Sequence, residues 1–242
     1  NICEITNFYK LYLIPNSRIV DHIVQNMDEV NELNAKAVEK GFAEYQSGIG
    51  VGDFLMKDTD GNGTITSDDR QVIATPEPKF FGGWTNTFTY KNLSLSFLMQ
   101  FSCGGEAVYS NLGEEISGVL GQSVGRELYG NTWTPERTDA KYARLVAGTM
   151  SYNYMANDRF VFDTSYLRMK NITLSYSLPK AWINKLYLSN ASLFVTATNL
   201  FTITQWPGLD PETVATGITS MGTNNDPYPL SRSFSLGVKL QF

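Results

Sequence analysis

Five segments of the chain alternate apolar and polar residues at successive positions. Their limits are 82–90, 93–103, 166–178, 191–204 and 231–242. In the last segment every second residue from Phe234 to Phe242 is apolar, and serine, glycine, lysine or glutamine stands between them. Because successive side chains of a β-strand point to opposite faces, the alternation predicts five strands with one apolar and one polar face each.

Two irregularities interrupt this alternation. Leu98 places an apolar residue among the polar positions of 93–103, and the alternation in 166–178 changes phase near Lys170. An extra residue in one strand of an antiparallel pair produces such a phase change, so we predict a β-bulge at Lys170.

The connections between the predicted strands alternate in length. Residues 91–92 form a tight turn and residues 179–190 a moderate connection, whereas 104–160 and 204–230 are long and rich in glycine, asparagine, aspartate and proline. Strands of about ten residues cross a bilayer when they are tilted. Outer-membrane barrels combine short turns at one rim with long loops at the other. The pattern therefore predicts an all-β fold, a segment of an antiparallel transmembrane β-barrel.

A soluble β-sandwich also contains alternating strands. Two features favour the barrel, because the polar positions carry serine, threonine and glutamine rather than lysine and glutamate, and aromatic residues gather near strand ends as in membrane girdles. These aromatic residues are Phe80, Phe81, Tyr90 and Tyr176. The strand pattern alone leaves both alternatives open.

The residues before the first predicted strand have a different pattern. Segment 27–42 spaces Val30, Leu33, Ala37 and Val38 as on one face of a helix, with acids early and lysines late. We predict a short helix there, outside the membrane. The predicted division of the chain is 1–79, a loop region with this helix, and 80–242, the barrel strands.

The segment 57–70, KDTDGNGTITSDDR, has the spacing of an EF-hand calcium loop. The predicted calcium ligands are Asp58, Asp60, Asn62, Thr64 (through its carbonyl) and Asp69. Gly63 allows the sharp turn, and Ile65 is placed to anchor the loop on an apolar neighbour. Residues 50–57 are predicted to be extended rather than helical, so the loop is not a sensor EF-hand. The alternative is an aspartate-rich turn without an ion.

Charge and residue types disfavour several functions. The formal net charge is -5 without lysine or arginine clusters, so we expect no nucleic-acid binding. His22 is the single histidine, and neighbouring acids such as Glu114 and Glu115 are not geometrically paired, so we expect no enzymatic activity. Cys3 and Cys103 lie far apart in the sequence and do not indicate a disulfide framework or a zinc site.

Six motifs follow one another along the chain. They are GVGDFLMKDTDGNGTITSDDR, PKFFGGWTNTFTYKNLSLSFLMQFSCGGEAVY, NTWTPERTDAKYARL, SYLRMKNITLSYSLPKAWINKLYLSNASLFVTATNLFTIT, GLDPE and SFSLGVKLQF. In this order, over about residues 27–242, they resemble the C-terminal part of the SusC/RagA family, the TonB-dependent outer-membrane transporters of Bacteroidetes.

The resemblance implies a 22-stranded barrel with an N-terminal plug. It also implies energy supplied through TonB, a SusD-like surface lipoprotein as a lid, and import of oligosaccharides or peptides. Five strands cannot close such a barrel, and residues 1–10 do not have the form of a secretory leader. We therefore expect the chain to be a C-terminal piece of a longer transporter in the outer membrane of a Gram-negative bacterium. The long loops and the calcium-like loop are then expected outside, and the turn at 91–92 inside.

Loop residues are candidates for substrate contact in such a transporter, because sugars stack on aromatic rings and bond to amides. The candidates are Trp133, Tyr152, Asn153, Tyr154, Trp206 and Asn224. The alternative function is a soluble calcium-dependent carbohydrate-binding β-sandwich module, in which the calcium loop would be the central feature.

Overall fold

The structure of the protein is a computed structural model that describes residues 16–117, 125–146, 152–183, 187–213, 223–224, 228 and 230–242. The chain forms two compact units. The first unit contains residues 1–76, 106–163 and 213–227, and the second contains residues 77–105, 164–212 and 228–242. Each unit is built from three separate stretches of sequence, so the long connection 104–160 belongs mostly to the first unit.

The described elements are mostly strands. In chain order the strands are β1 (Asn16–Ser17), β2 (Val20–Ile23), β3 (Phe54–Met56), β4 (Gln71–Val72), β5 (Phe80–Tyr90), β6 (Leu93–Cys103), β7 (Glu106–Tyr109), β8 (Val161–Asp163), β9 (Tyr166–Ser177), β10 (Asn190–Thr198), β11 (Thr202–Thr204), β12 (Thr223–Asn224) and β13 (Ser233–Gln241). The α-helices are α1 (Met27–Glu39), α2 (Asn111–Ser117) and α3 (Lys180–Ile183). No helix among the described residues has the length and apolar character needed to cross a membrane.

The second unit contains one antiparallel sheet in the spatial order β13–β10–β9–β6–β5, with β11 paired to β9. Its long strands confirm the five predicted from the alternation. The turn Lys91–Asn92 joins β5 to β6, and Lys91 adopts a left-handed backbone with φ 52°. The side-chain nitrogen of Asn92 donates to the carbonyl of Ser177 at 2.8 Å, which ties the turn to the end of β9.

The β-bulge predicted at Lys170 is confirmed. Along the pair of β6 and β9, Leu98 lies opposite Asn171 and the next residue, Met99, lies opposite Met169. Lys170 is therefore the extra residue that β9 carries relative to its partner.

The first unit has an apolar core built from small sheets and helices. Strand β2 pairs with β3, and β7 lies between β8 and β12. Its largest fully buried apolar side chains are Phe54, Met56, Leu112, Ile116, Leu128, Tyr142 and Phe160. Residues from 106–163 thus bury their side chains together with residues of 20–65, which explains why a segment rich in loop-forming residues still folds compactly.

Helix α1 begins where its sequence predicts. The Asn26 side chain caps it by accepting hydrogen bonds from the amides of Asp28 and Glu29, and both of these acids lie in the first turn. Val30 and Ala37 are buried as the spacing predicts. Val38 was assigned to the same stripe, but it is 59% exposed, because the buried side of the helix is narrower than the apolar stripe.

A buried ion pair connects distant parts of the first unit. Asp53 is 4% exposed, and its two oxygens accept hydrogen bonds from Nε and Nη2 of Arg144 at 2.7 and 3.0 Å. The same carboxylate accepts from the Asn153 side chain at 2.7 Å and from the Gly50 amide at 2.7 Å. Asn153 in turn accepts from the backbone amide of Phe54. One carboxylate therefore fixes three segments of the chain.

Candidate functional site

The apolar face of the second unit's sheet is exposed. Leu236 is 79%, Phe234 70% and Trp84 54% exposed. The other exposed members of this face in the strands are Phe80, Phe88, Tyr90, Leu93, Leu174, Tyr176, Leu193, Val195, Ile203, Val238 and Leu240. A sandwich would bury this face against a second sheet. The exposure contradicts the sandwich alternative and is the arrangement expected when lipid tails contact the sheet.

The polar face of the same sheet carries paired hydroxyl groups. The Thr87 hydroxyl donates to Ser96 at 3.1 Å, and Thr173 and Thr196 are hydrogen-bonded at 2.9 Å. Phe194 interrupts this face and lies over Gly237 of the neighbouring strand, where any side chain would collide with the aromatic ring. Hydroxyl pairs of this kind satisfy one another and still offer oxygen atoms to water, as the lining of an aqueous lumen requires.

Three carboxylates of the 57–70 segment converge. One oxygen from each of Asp58, Asp60 and Asp69 lies within 4.8 Å of the others. Backbone amides hold them in place: Gly61 and Gly63 donate to Asp58 at 2.7 and 2.8 Å. The three carboxylates and the tight loop fit a hard divalent cation, which prefers several oxygen ligands.

The remaining predicted loop residues support the same loop geometry. Gly63 has φ +97°, a conformation that favours glycine, and Ile65 is buried in the core of the first unit. The Asn62 oxygen accepts from the Thr64 amide at 2.8 Å. Thr64 also donates its hydroxyl to the Glu44 carbonyl.

Asp69 and Tyr45 attach the loop to its surroundings. Burial raises the pKa of Asp69, but hydrogen bonds from the backbone amides of Thr66 and Thr59 outweigh it and hold the pKa below its usual value. Asp69 therefore carries its negative charge although it is buried.

The Tyr45 hydroxyl donates to the Met56 carbonyl at 3.0 Å, and burial raises the pKa of Tyr45 to about 12. Tyr45 was not predicted as part of the site.

An ionic cluster on the polar face was also not predicted. Arg168 is 2% exposed and donates to Asp210 at 2.5 Å and to Glu212 at 2.8 Å. Lys170, the bulge residue, contacts both oxygens of Glu212 at 2.7 Å. Burial raises the pKa of Asp210, but the hydrogen bond from Arg168 and two backbone amides outweigh it and lower the pKa. The cluster joins β9 to the GLDPE segment.

Proteins with similar sequences are named TonB-dependent receptors. The chain is 32% identical over 209 residues to TonB-dependent receptor P3 of Formosa agariphila, an alignment that covers 84% of this chain and 20% of the relative. It is 32% identical over 190 residues to TonB-dependent receptor SusC of Bacteroides thetaiotaomicron, covering 78% of this chain and 17% of the relative. No protein-family model matches the chain.

Solved structures show the same fold. The RagAB peptide transporter matches with a TM-score of 0.67 and 20% identity, over 95% of this chain and 23% of that chain. The RagAB peptide importer in the closed-closed state matches with a TM-score of 0.63 and 19% identity, over 94% of this chain and 23% of that chain. The chain belongs to the SusC/RagA family of TonB-dependent transporters.

SusC/RagA proteins are outer-membrane β-barrel proteins of Bacteroidetes, and the exposed apolar face agrees with that location. The chain spans about a fifth of the length of the curated relatives that it matches.

Two of the predicted substrate residues of this SusC/RagA segment are buried. Asn153 is 1% exposed and bound within the Asp53 network, so its assignment to substrate contact is corrected to a structural role. Trp206 is 5% exposed, and burial likewise removes it from the accessible candidates. Both were chosen because aromatic and amide residues in loops resemble binding residues, a local signal that does not report burial.

The other four candidates have mixed environments. Trp133 donates its indole nitrogen to Gln25 at 3.2 Å, and Tyr152 lies under the guanidinium of Arg18 at 5.1 Å. Tyr154 is half-buried. Asn224 lies in β12, where its backbone pairs with Tyr109. Trp133, Tyr152, Tyr154 and Asn224 remain candidates for substrate contact, and nothing in these contacts assigns them a substrate.

Proposed function

We propose that this segment forms part of the wall of an outer-membrane transporter that imports nutrients with energy supplied through TonB. The supporting observation is the two-faced sheet, in which exposed apolar rows suit lipid and hydroxyl rows suit a wet lumen. The names of the relatives describe TonB-dependent receptors rather than enzymes, so we propose transport and not catalysis.

The rest of the transporter would complete this wall. Strands β5 and β13 are the edges of the sheet, and an open edge carries unpaired backbone groups. We propose that further barrel strands pair with both edges, that a plug fills the lumen, and that a plug-linked segment contacts TonB. The turn at Lys91–Asn92 would face the periplasm. Segments 104–160 and 204–230, which leave the sheet at the opposite rim, would face outward beneath a SusD-like lipoprotein.

The names of the relatives support a proposal for the cargo class. The similar solved structures are of a peptide transporter, whereas other relatives bear the names SusC and TonB-dependent receptor. We propose oligosaccharides or peptides as the two cargo classes, because both present many hydrogen-bonding groups to a hydroxyl-lined lumen.

An uptake experiment tests the proposed function. Cells with and without the gene receive a fluorescent oligosaccharide pool or a fluorescent peptide pool, each with and without an uncoupler of the inner-membrane proton gradient. We expect uptake of one pool to require both the protein and the gradient. Uptake that is the same in the deletion strain, or that persists with the uncoupler, would contradict TonB-driven import.

We propose that the 57–70 loop binds Ca²⁺, which would stiffen the loop. The convergence of Asp58, Asp60 and Asp69 supports this proposal. Asp60→Asn tests it, because the amide oxygen preserves the acceptor for the Asn62 amide while one carboxylate charge is lost. We expect calcium affinity to fall by about tenfold or more, since affinity depends on the number of charged ligands.

Hydrogen exchange at the amides of Gly61 and Gly63 provides the measurement. Calcium should slow exchange in the unchanged protein, and EGTA should reverse the effect. Asp68→Asn is the control, because Asp68 is exposed and lies outside the convergent carboxylates. If exchange in the unchanged protein is the same with calcium and with EGTA, the loop is an aspartate-rich turn without an ion.

A further inference from the structure

A cavity of about 230 Å³ lies in the second unit beside the ionic cluster. Arg168 and Asp210 of the cluster line it, and Thr202 and Thr204 of β11 contribute polar atoms from the sheet. Apolar atoms come from Leu209, Pro211 and Leu230. Pockets for drug-sized ligands measure about 300–1,000 Å³, so this smaller cavity suits a single sugar or amino-acid unit.

The Asp210 carboxylate in the wall of the cavity already accepts hydrogen bonds from within the protein. One oxygen of Asp210 accepts from Arg168 at 2.5 Å and from the Glu212 amide at 2.9 Å, and the other accepts from the Leu230 amide at 3.3 Å. The Thr204 hydroxyl accepts from the Trp206 amide at 3.1 Å and donates to the Ser165 carbonyl at 2.8 Å. An incoming molecule therefore finds the carboxylate on this wall engaged within the protein.

Hydrogen-bond donors, in contrast, remain available. The buried Nε of Arg168 has no hydrogen-bond partner in the part of the chain that the structure describes. Arg232 also lines the cavity and is exposed, and its guanidinium makes no hydrogen bond or ion pair with a described residue. In the ionic cluster the charges of Arg168 and Lys170 are balanced by those of Asp210 and Glu212. Arg232 adds one further positive charge at the cavity.

We propose that this cavity binds a carboxylate group carried by a small polar unit, with Arg232 as the residue that pairs with it. The planar guanidinium of arginine matches the two oxygens of a carboxylate. The Arg168 guanidinium is held by Asp210 and Glu212, so its position is fixed before the ligand arrives. The apolar side chains would contact the body of the bound unit.

Two kinds of cargo could bring this carboxylate, a sugar acid or the free acid of a peptide. Purified transporter in detergent is therefore tested with four probes: glucuronate, glucose, N-acetyl-alanine and N-acetyl-alanine methylamide. Saturation-transfer NMR measures the binding of each probe. The variant is Arg232→Gln. The control is Lys239→Gln, which removes the same charge from a polar-face position of β13, and circular dichroism checks that both variants are folded.

We expect at least one carboxylate probe to bind, and its neutral analogue to bind much more weakly. Arg232→Gln should lower the affinity by about tenfold or more, the effect of losing one hydrogen bond between charged groups. Lys239→Gln should leave the affinity unchanged. Preference for glucuronate assigns the site to sugar acids, and preference for N-acetyl-alanine assigns it to peptide acids.

Three results would overturn the proposal: no binding of either carboxylate, equal binding of the neutral analogues, or an Arg232→Gln protein that binds as well as the unchanged one. The inference goes beyond the proposed transport function and names a group that the cargo would carry. Binding is measured without uptake, so a failed uptake experiment and a failed binding experiment are distinguishable.

Discussion

Leu236→Arg is expected to destabilise the membrane-inserted barrel by about 2–4 kcal/mol, the cost of a cation on the lipid face near the bilayer midplane. Leu236 lies in the middle of β13, on the apolar face, and is 79% exposed. Its neighbour in the sheet is Val195 of β10, which also belongs to the apolar face. A charged side chain at this position would have to be accommodated among hydrocarbon tails.

The matched control for this change is Ser235→Arg. Ser235 is the adjacent residue, but it lies on the polar face opposite Thr196, so its side chain would reach water in the lumen. Both proteins are refolded into lipid vesicles and unfolded with guanidinium, and heat-modifiable mobility on gels reports the folded fraction. If both variants lose the same stability, or if Ser235→Arg loses more, the assignment of the two faces to lipid and water is wrong.

Asp53→Ala is expected to destabilise the first unit by about 3 kcal/mol, at the lower end of the range for breaking a buried ion pair. The lower value applies because the Arg144 side chain is 42% exposed and keeps contact with water after Asp53 is removed. Asn153 and the Gly50 amide lose their acceptor as well. The loss therefore affects three segments of the chain together.

Hydrogen exchange measures this loss locally. The Phe54 amide, which donates to Asn153, should exchange faster in Asp53→Ala, while amides of the β9–β10 pair should be unchanged. Asp139→Ala is the control, because Asp139 is an exposed acid of the same unit. Arg144→Met, alone and combined with Asp53→Ala, gives the coupling energy of the pair. A coupling energy near zero would show that the ion pair does not hold the unit together.

The sheet was predictable because its signal is local. The alternation of apolar and polar residues within each strand indicates which side chains lie on which face of the sheet. The phase change at Lys170 indicates the bulge in the same way. The 57–70 loop was predictable for the same reason, since Gly63 and Ile65 occupy positions that a single short loop defines. Calcium itself remains a prediction.

The ionic contacts were not predictable because their partners are distant in the sequence. Arg168 lies 42 residues from Asp210, and Asp53 lies 91 residues from Arg144. No periodicity connects such pairs, and an isolated arginine or aspartate in a loop resembles a solvent-exposed charge. The same limit explains Asn153, whose amide was assigned to substrate although the fold uses it to hold Phe54.

The single extra residue at Lys170 determines which side chains of β9 lie on the apolar face of the sheet. On the N-terminal side of Lys170, Leu167 pairs with Phe101 of the apolar face and Arg168 pairs with Gln100 of the polar face. If that residue were deleted, the parity of the strand would invert on one side of the deletion, so Arg168 would turn toward hydrocarbon and Leu167 toward water. The composition of the strand would hardly change, yet Arg168 would lose both of its carboxylate partners. One added backbone unit thus keeps the Arg168 guanidinium on the polar face, where Asp210 and Glu212 neutralise its charge.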